Sequence, residues 1–129
     1  MLIGVVSDTH NNLKNINKII SIFNDEEVSL VVHTGDIANS NSLEQFSKLT
    51  CKLTGVYGNN DRCEIGLTEI VIKNSFTFQN PPKYLQISGK KIMVFHEPDT
   101  IEAILSEKND IDLILHGHTH RFRQEVING

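Results

Sequence analysis

The stretch L-I-G-V-V-S-D-T-H-N-N-L-K-N-I-N-K-I-I-S-I-F (residues 2–23), followed by S-L-V-V-H-T-G-D (residues 29–36), decides the fold. Residues 2–7 read as a buried strand. Asn11 and Asn12 then offer a helix N-cap. Leu13, Ile16, Ile19, Ile20 and Phe23 follow at helical spacing, so residues 12–23 are expected to form an amphipathic helix. Residues 29–33 give a second short strand. Leu43, Phe46 and Leu49 mark a second helix after the polar cluster 39–42, and residues 52–57 a third strand ending at Gly58. This β-α-β-α-β alternation predicts a parallel sheet covered by helices.

The second half has another rhythm. Residues 83–88 and 91–96 flank Gly89 and Lys90, which predicts an antiparallel hairpin. Residues 100–108 place Ile101, Ile104 and Leu105 on one helical face. Residues 111–115 read as a buried strand, and 122–127 alternate like a half-exposed one. Residues 64–79 carry the weakest pattern and are assigned to strand or irregular structure. Asn128–Gly129 signals a two-residue hairpin with no strand after it. Either a C-terminal piece is missing or one sheet edge stays open.

Composition narrows the function. With 129 residues, the chain has the size of one domain, 1–129, with a real core. A net charge of −4 gives no electrostatic case for a nucleic-acid surface. No secretory signal is expected, because residues 1–7 lack a basic start and are too short. No apolar run approaches the roughly 20 residues of a membrane span. Cys51 and Cys63 have no metal-motif spacing and are too few for a disulfide framework, which favours a reducing cytoplasm.

The chemistry lies at the strand ends. Seven candidate metal ligands run along the chain: Asp8 and His10 in S-D-T-H, Asp36 in H-T-G-D, Asn59 in G-N-N-D, His96 in V-F-H, and His118 and His120 in G-H-T-H. Residues two apart at the end of a strand point the same way, so Asp8 and His10 can offer a carboxylate and an imidazole to one ion. His118 and His120 repeat that spacing. Asp36 can bridge two cations through its two oxygens. Asp61 is expected to orient a neighbouring ligand or loop rather than bind metal. His33 and His116 are read as packing residues or supports of the ligands. Each motif alone is ordinary turn chemistry; five of them in order after successive strand ends are not. Oxygen and imidazole donors without thiolate suit a hard-to-borderline divalent metal, with Mn or Ni favoured and Fe, Co or Zn compatible.

These motifs together resemble the calcineurin-like metallophosphoesterases, and particularly the small phosphodiesterases of bacteria and archaea. The resemblance implies an α/β fold with a two-layered sheet core flanked by helices. It also implies a dinuclear centre in which one metal takes Asp8, His10, Asp36 and His120. The other would take Asp36, Asn59, His96 and His118. A water activated between the metals would attack phosphorus in line, on a small phosphodiester substrate. Three departures stand out. Asn60 occupies the place where many relatives carry a histidine that protonates the leaving group, and Asn cannot act as a general acid. Arg62 is a candidate phosphate contact. Glu97 replaces the usual glycine, and the C-terminus is short. The alternative function is a protein-binding scaffold on the same fold, and an unpaired edge strand would admit a homodimer.

Overall fold

The computed structural model describes residues 2–10, 12–37, 40–58, 61, 66–96 and 111–117. The expected helix at 100–108 and strand at 122–127 lie outside them.

The first half folds as the alternation requires. Strand β1 (Ile3–Val6) leads into helix α1 (Leu13–Asp25), strand β2 (Leu30–His33), helix α2 (Ser40–Gln45) and strand β3 (Lys52–Val56). A 3₁₀ turn, Phe46–Lys48, extends α2. Asn12 caps α1, its side chain accepting from the Asn15 backbone N–H at 3.1 Å. At the other end Glu27 adopts φ +53°, and Val28 N–H reaches back to Phe23 carbonyl at 3.3 Å. That is a Schellman closure made without glycine.

Residues 64–79 contain an element the sequence pattern hid. Helix α3 (Leu67–Lys73) precedes strand β4 (Thr77–Gln79). The segment L-T-E-I-V-I-K is rich in β-branched residues, which argues locally for strand. Burial decides otherwise. Leu67 and Val71, four apart, enter the core, while Ile72 on the opposite side is 72% exposed. Tertiary packing overrides propensity here.

β1 to β4 form one parallel sheet in sequential order. Among the described residues, α1, α2 and α3 pack on the same face, as successive parallel crossovers in one direction require. The core on that side joins Ile16 and Ile20 of α1, Leu43 and Phe46 beside α2, and Leu67 and Val71 of α3 to Val31 and Leu53.

The other face meets a second sheet. Strands β5 (Lys83–Ile87) and β6 (Lys90–Val94) pair antiparallel, and β7 (Leu113–Leu115) adds parallel to β6. The connecting turn is Ser88–Gly89, at φ +52° and +78°. Both central residues are left-handed, as a type I′ turn demands, so the turn falls one residue earlier than expected and Lys90 already pairs with Ile87. Val32 and Val56 of the first sheet pack with Ile92 and Val94 of the second. Period-two alternation therefore divides β2 cleanly: Leu30 and Val32 face the second sheet, Val31 and His33 face the helices. No helix among the described residues is long and apolar enough to cross a membrane.

Candidate metal centre

The parallel strands β1, β2 and β3 all end at one edge of the sheet, and the loops that follow carry the candidate ligands. Asp8 follows β1, Asp36 follows β2, and His96 follows β6 from the second sheet. Donor atoms of Asp8, His10 and Asp36 lie within 4.8 Å of one another.

The convergence of Asp8 and His10 has a different cause from the expected strand pleat. β1 stops at Val6, and both residues are left-handed, at φ +53° and +47°. Asp36 is left-handed too, at φ +61°. Backbone hydrogen bonds hold these bends together: Asp8 N donates to Gly35 carbonyl at 2.9 Å, and His10 N to Asp36 carbonyl at 3.0 Å. The side chains thus meet because two loops are joined by their backbones. Left-handed conformations in residues other than glycine cost energy, and three of them lie together at this edge.

Glycines let the segments approach. Gly35 has φ +111°, and a Cβ there would sit 2.9 Å from Gly58 N. A side chain at Gly58 would collide with the Asp36 carboxylate.

Asp36 is 3% exposed, and its Oδ1 is buried with no hydrogen-bond partner among the described residues. Buried carboxylate oxygens are rarely left so. His96 Nε2 stands 3.4 Å from Asp36 Oδ2. Its Nδ1 is 2.9 Å from Thr34 carbonyl, which can only accept, so Nδ1 carries the proton. In the neutral ring, Nε2 then turns its lone pair toward a carboxylate. A cation between them makes that arrangement favourable, and backbone-anchored imidazoles of this kind are characteristic of metal ligands. The donors at Asp8, His10, Asp36 and His96 fit a hard-to-borderline divalent ion.

Asp61 takes the loop-orienting role. Its Oδ2 accepts from Gly58 N at 2.8 Å and from Ile37 N at 3.1 Å, tying the loop after β3 to the turn after β2. The start of G-H-T-H also reaches the site. Gly117 N donates to His96 carbonyl at 3.0 Å. A Cβ on Gly117 would fall 2.7 Å from Asp8 Oδ2. His116 Nδ1 lies 3.4 Å from Gly117 carbonyl. Asn59, Asn60, Arg62, Glu97, His118 and His120 lie outside the described residues.

His33 has a more defined role than packing. It is fully buried, and desolvation, outweighing the nearby Asp61 and Asp8 carboxylates, lowers its pKa to about 4. Gly35 N donates to Nδ1 at 3.0 Å, and Nε2 lies 3.0 Å from Thr9 Oγ1. The H-T-G-D context placed His33 near the edge but gave no sign of these two bonds.

An α/β architecture with carboxylate and imidazole donors gathered at the ends of its strands places the chain in the class of folds that can hold a metal at the sheet edge. Within that class the chain belongs to the calcineurin-like phosphoesterase superfamily, whose domain model matches residues 1–129. It is 34% identical over 135 residues to phosphodiesterase MJ0936 of Methanocaldococcus jannaschii, covering 98% of this chain and 78% of that protein. A solved archaeal phosphodiesterase superposes with a TM-score of 0.87 at 33% identity, over 99% of this chain and 79% of that one. The vacuolar protein sorting 29 structure of Cryptosporidium parvum shares the fold at 18% identity, with a TM-score of 0.68 over 98% of this chain and 69% of its own.

Proposed function

We propose that this chain hydrolyses phosphodiesters at a centre of two divalent cations. Asp8, His10, Asp36 and His120 would hold one, and Asp36, Asn59, His96 and His118 the other, with Asp36 common to both. The observation that carries the reading is the buried Asp36 carboxylate. Its Oδ1 has no hydrogen-bond partner among the described residues, its Oδ2 faces His96 Nε2, and its donor atoms lie within 4.8 Å of those of Asp8 and His10. Membership of the phosphoesterase superfamily and the likeness to a curated phosphodiesterase support the substrate class.

Such cations, when bound, acidify water and offset charge building on phosphoryl oxygens. The protein's own part is positioning. Asp61 fixes the start of the G-N-N-D loop against Ile37. Asn60 can donate a hydrogen bond to a phosphoryl oxygen but has no proton to give a leaving group at neutral pH. Arg62 would add a cationic contact to phosphate. The chain therefore favours esters whose leaving groups depart without protonation. The low cysteine content fits a reducing cytoplasm.

The test is hydrolysis of a bis-aryl phosphate by chelator-stripped protein, with Mn²⁺ or Ni²⁺ added back, beside Asp36→Ala. Metal-dependent turnover that disappears in the variant is expected. Metal binding with no turnover on any aryl phosphodiester would instead favour a non-catalytic scaffold on this fold.

A further inference from the structure

His33 ends β2 with both ring nitrogens engaged. Nδ1 receives a hydrogen bond from Gly35 N at 3.0 Å, so it is an acceptor and carries no proton. A neutral imidazole has one N–H, which must then be on Nε2. Nε2 lies 3.0 Å from Thr9 Oγ1, which accepts a hydrogen bond from that N–H. Burial favours the neutral ring. The ring itself is held edge-on to Phe46, with centroids 5.7 Å apart, and tilted against Phe78 at 6.3 Å.

The two partners are significant for where they lie. Thr9 stands between the candidate ligands Asp8 and His10, and Gly35 immediately precedes Asp36. One rigid ring on the end of a strand thus spans both ligand loops. An apolar residue of similar volume would leave the Thr9 hydroxyl and the Gly35 N–H buried without these bonds, which is costly. Ligand geometry is most exact when the supporting side chain is itself locked by packing.

We propose that His33, as its Nε2–H tautomer, is a positioning residue that clamps the S-D-T-H segment to the G-D turn and so sets the divalent-metal affinity of the cluster. It neither ligates metal nor transfers a proton, because both nitrogens are occupied. The proposal rests on the metal centre described under Proposed function.

The test is Mn²⁺ titration of wild-type protein, Thr9→Val, Thr9→Ser and His33→Asn, each checked for folding by circular dichroism. Loss of a group that orients ligands typically weakens metal binding by roughly 10- to 100-fold, and that is the expectation for Thr9→Val and His33→Asn. Thr9→Ser keeps the hydroxyl and should retain wild-type affinity. The double variant Thr9→Val/His33→Asn, titrated alongside, should be no weaker than His33→Asn, since both changes break one link. In parallel, nitrogen NMR of the His33 ring should find Nδ1 unprotonated and Nε2 protonated, before and after Zn²⁺ is added. Wild-type affinity in folded Thr9→Val, or a proton on Nδ1, overturns the proposal while leaving the metal centre intact. No Mn²⁺ binding by wild type overturns the metal centre and this proposal with it.

Discussion

A single imidazole illustrates how burial turns into pH dependence. His33 has its pKa lowered to about 4 by desolvation, against 6.5 for the free side chain. The unfolded chain therefore takes up a proton at this residue before the native protein does. Stability from keeping the ring neutral is fully present above pH 6.5 and is lost as pH falls toward 4. The shift corresponds to about 3 kcal/mol. Denaturant titrations of metal-free protein from pH 7 to 4 should show wild type losing about that much more than His33→Asn. The carboxylates are common to both proteins, so the difference reports His33 together with its coupling to Asp61 and Asp8. Parallel curves would mean the ring is not held neutral. The site's residue types were legible in the sequence because donor chemistry is written in the letters: Asp8, His10, Asp36 and His96 stand at strand ends as expected. Their backbone geometry was not. Left-handed turns at Asp8, His10 and Asp36 depend on hydrogen bonds between loops distant in sequence, which no local pattern encodes.

Helix termination offers the clearest prediction among the elements. α1 closes through Glu27 at φ +53°, a conformation that glycine adopts without steric cost and other residues do not. Asp25, Glu26 and Glu27 also crowd negative charge at the negative end of the helix dipole, with no basic residue in the last turn. Glu27→Gly should therefore stabilise the protein by about 1 kcal/mol, the conformational gain exceeding the added freedom of the unfolded chain. Glu27→Gln relieves only the charge and should gain a few tenths. Chemical denaturation of both variants separates the two causes, and no gain in the glycine variant would show that Glu27 makes a compensating contact. The same closure recurs after α3, where Ser75 has φ +58° and Phe76 N donates to Val71 carbonyl at 2.9 Å. α3 is also the element that the sequence concealed. Seven residues give too few turns for a helical period to emerge, and Ile70, Val71 and Ile72 argue for strand. α1 was plain because thirteen residues carry a full apolar stripe behind an Asn cap. β2 was plain because a strand buried on both faces is continuously apolar, and β1 carries the same apolar pattern although it lies at the sheet edge with Val5 47% exposed.

Across the whole molecule, the stable frame and the candidate site at its edge work against each other in the metal-free protein. The two sheets and their helices supply the stable frame, with Val32, Val56, Ile92 and Val94 packed between the sheets. At its edge the frame holds three left-handed residues and two carboxylates within 4.8 Å of each other, one with a buried oxygen lacking a hydrogen bond among the described residues. These are costs in the metal-free protein, roughly 1–3 kcal/mol for each strained residue. A divalent ion bound as proposed would offset them, by binding the native state and not the unfolded chain. At a concentration 100 times its Kd, the gain is about 2.7 kcal/mol per site. Mn²⁺ should therefore raise the denaturation midpoint of wild type, and a chelator should reverse it. Asp36→Asn distinguishes this from nonspecific salt effects. Asparagine tolerates the left-handed backbone and removes one negative charge from the cluster, so the metal-free variant should be at least as stable as metal-free wild type. It should also lose most of the Mn²⁺-induced shift, because a neutral amide would be a poor bridge between the two proposed cations. If the variant kept the full shift, the stabilising ion would be bound elsewhere. If it were much less stable without metal, the Asp36 carboxylate would be holding the frame together rather than waiting for a ligand.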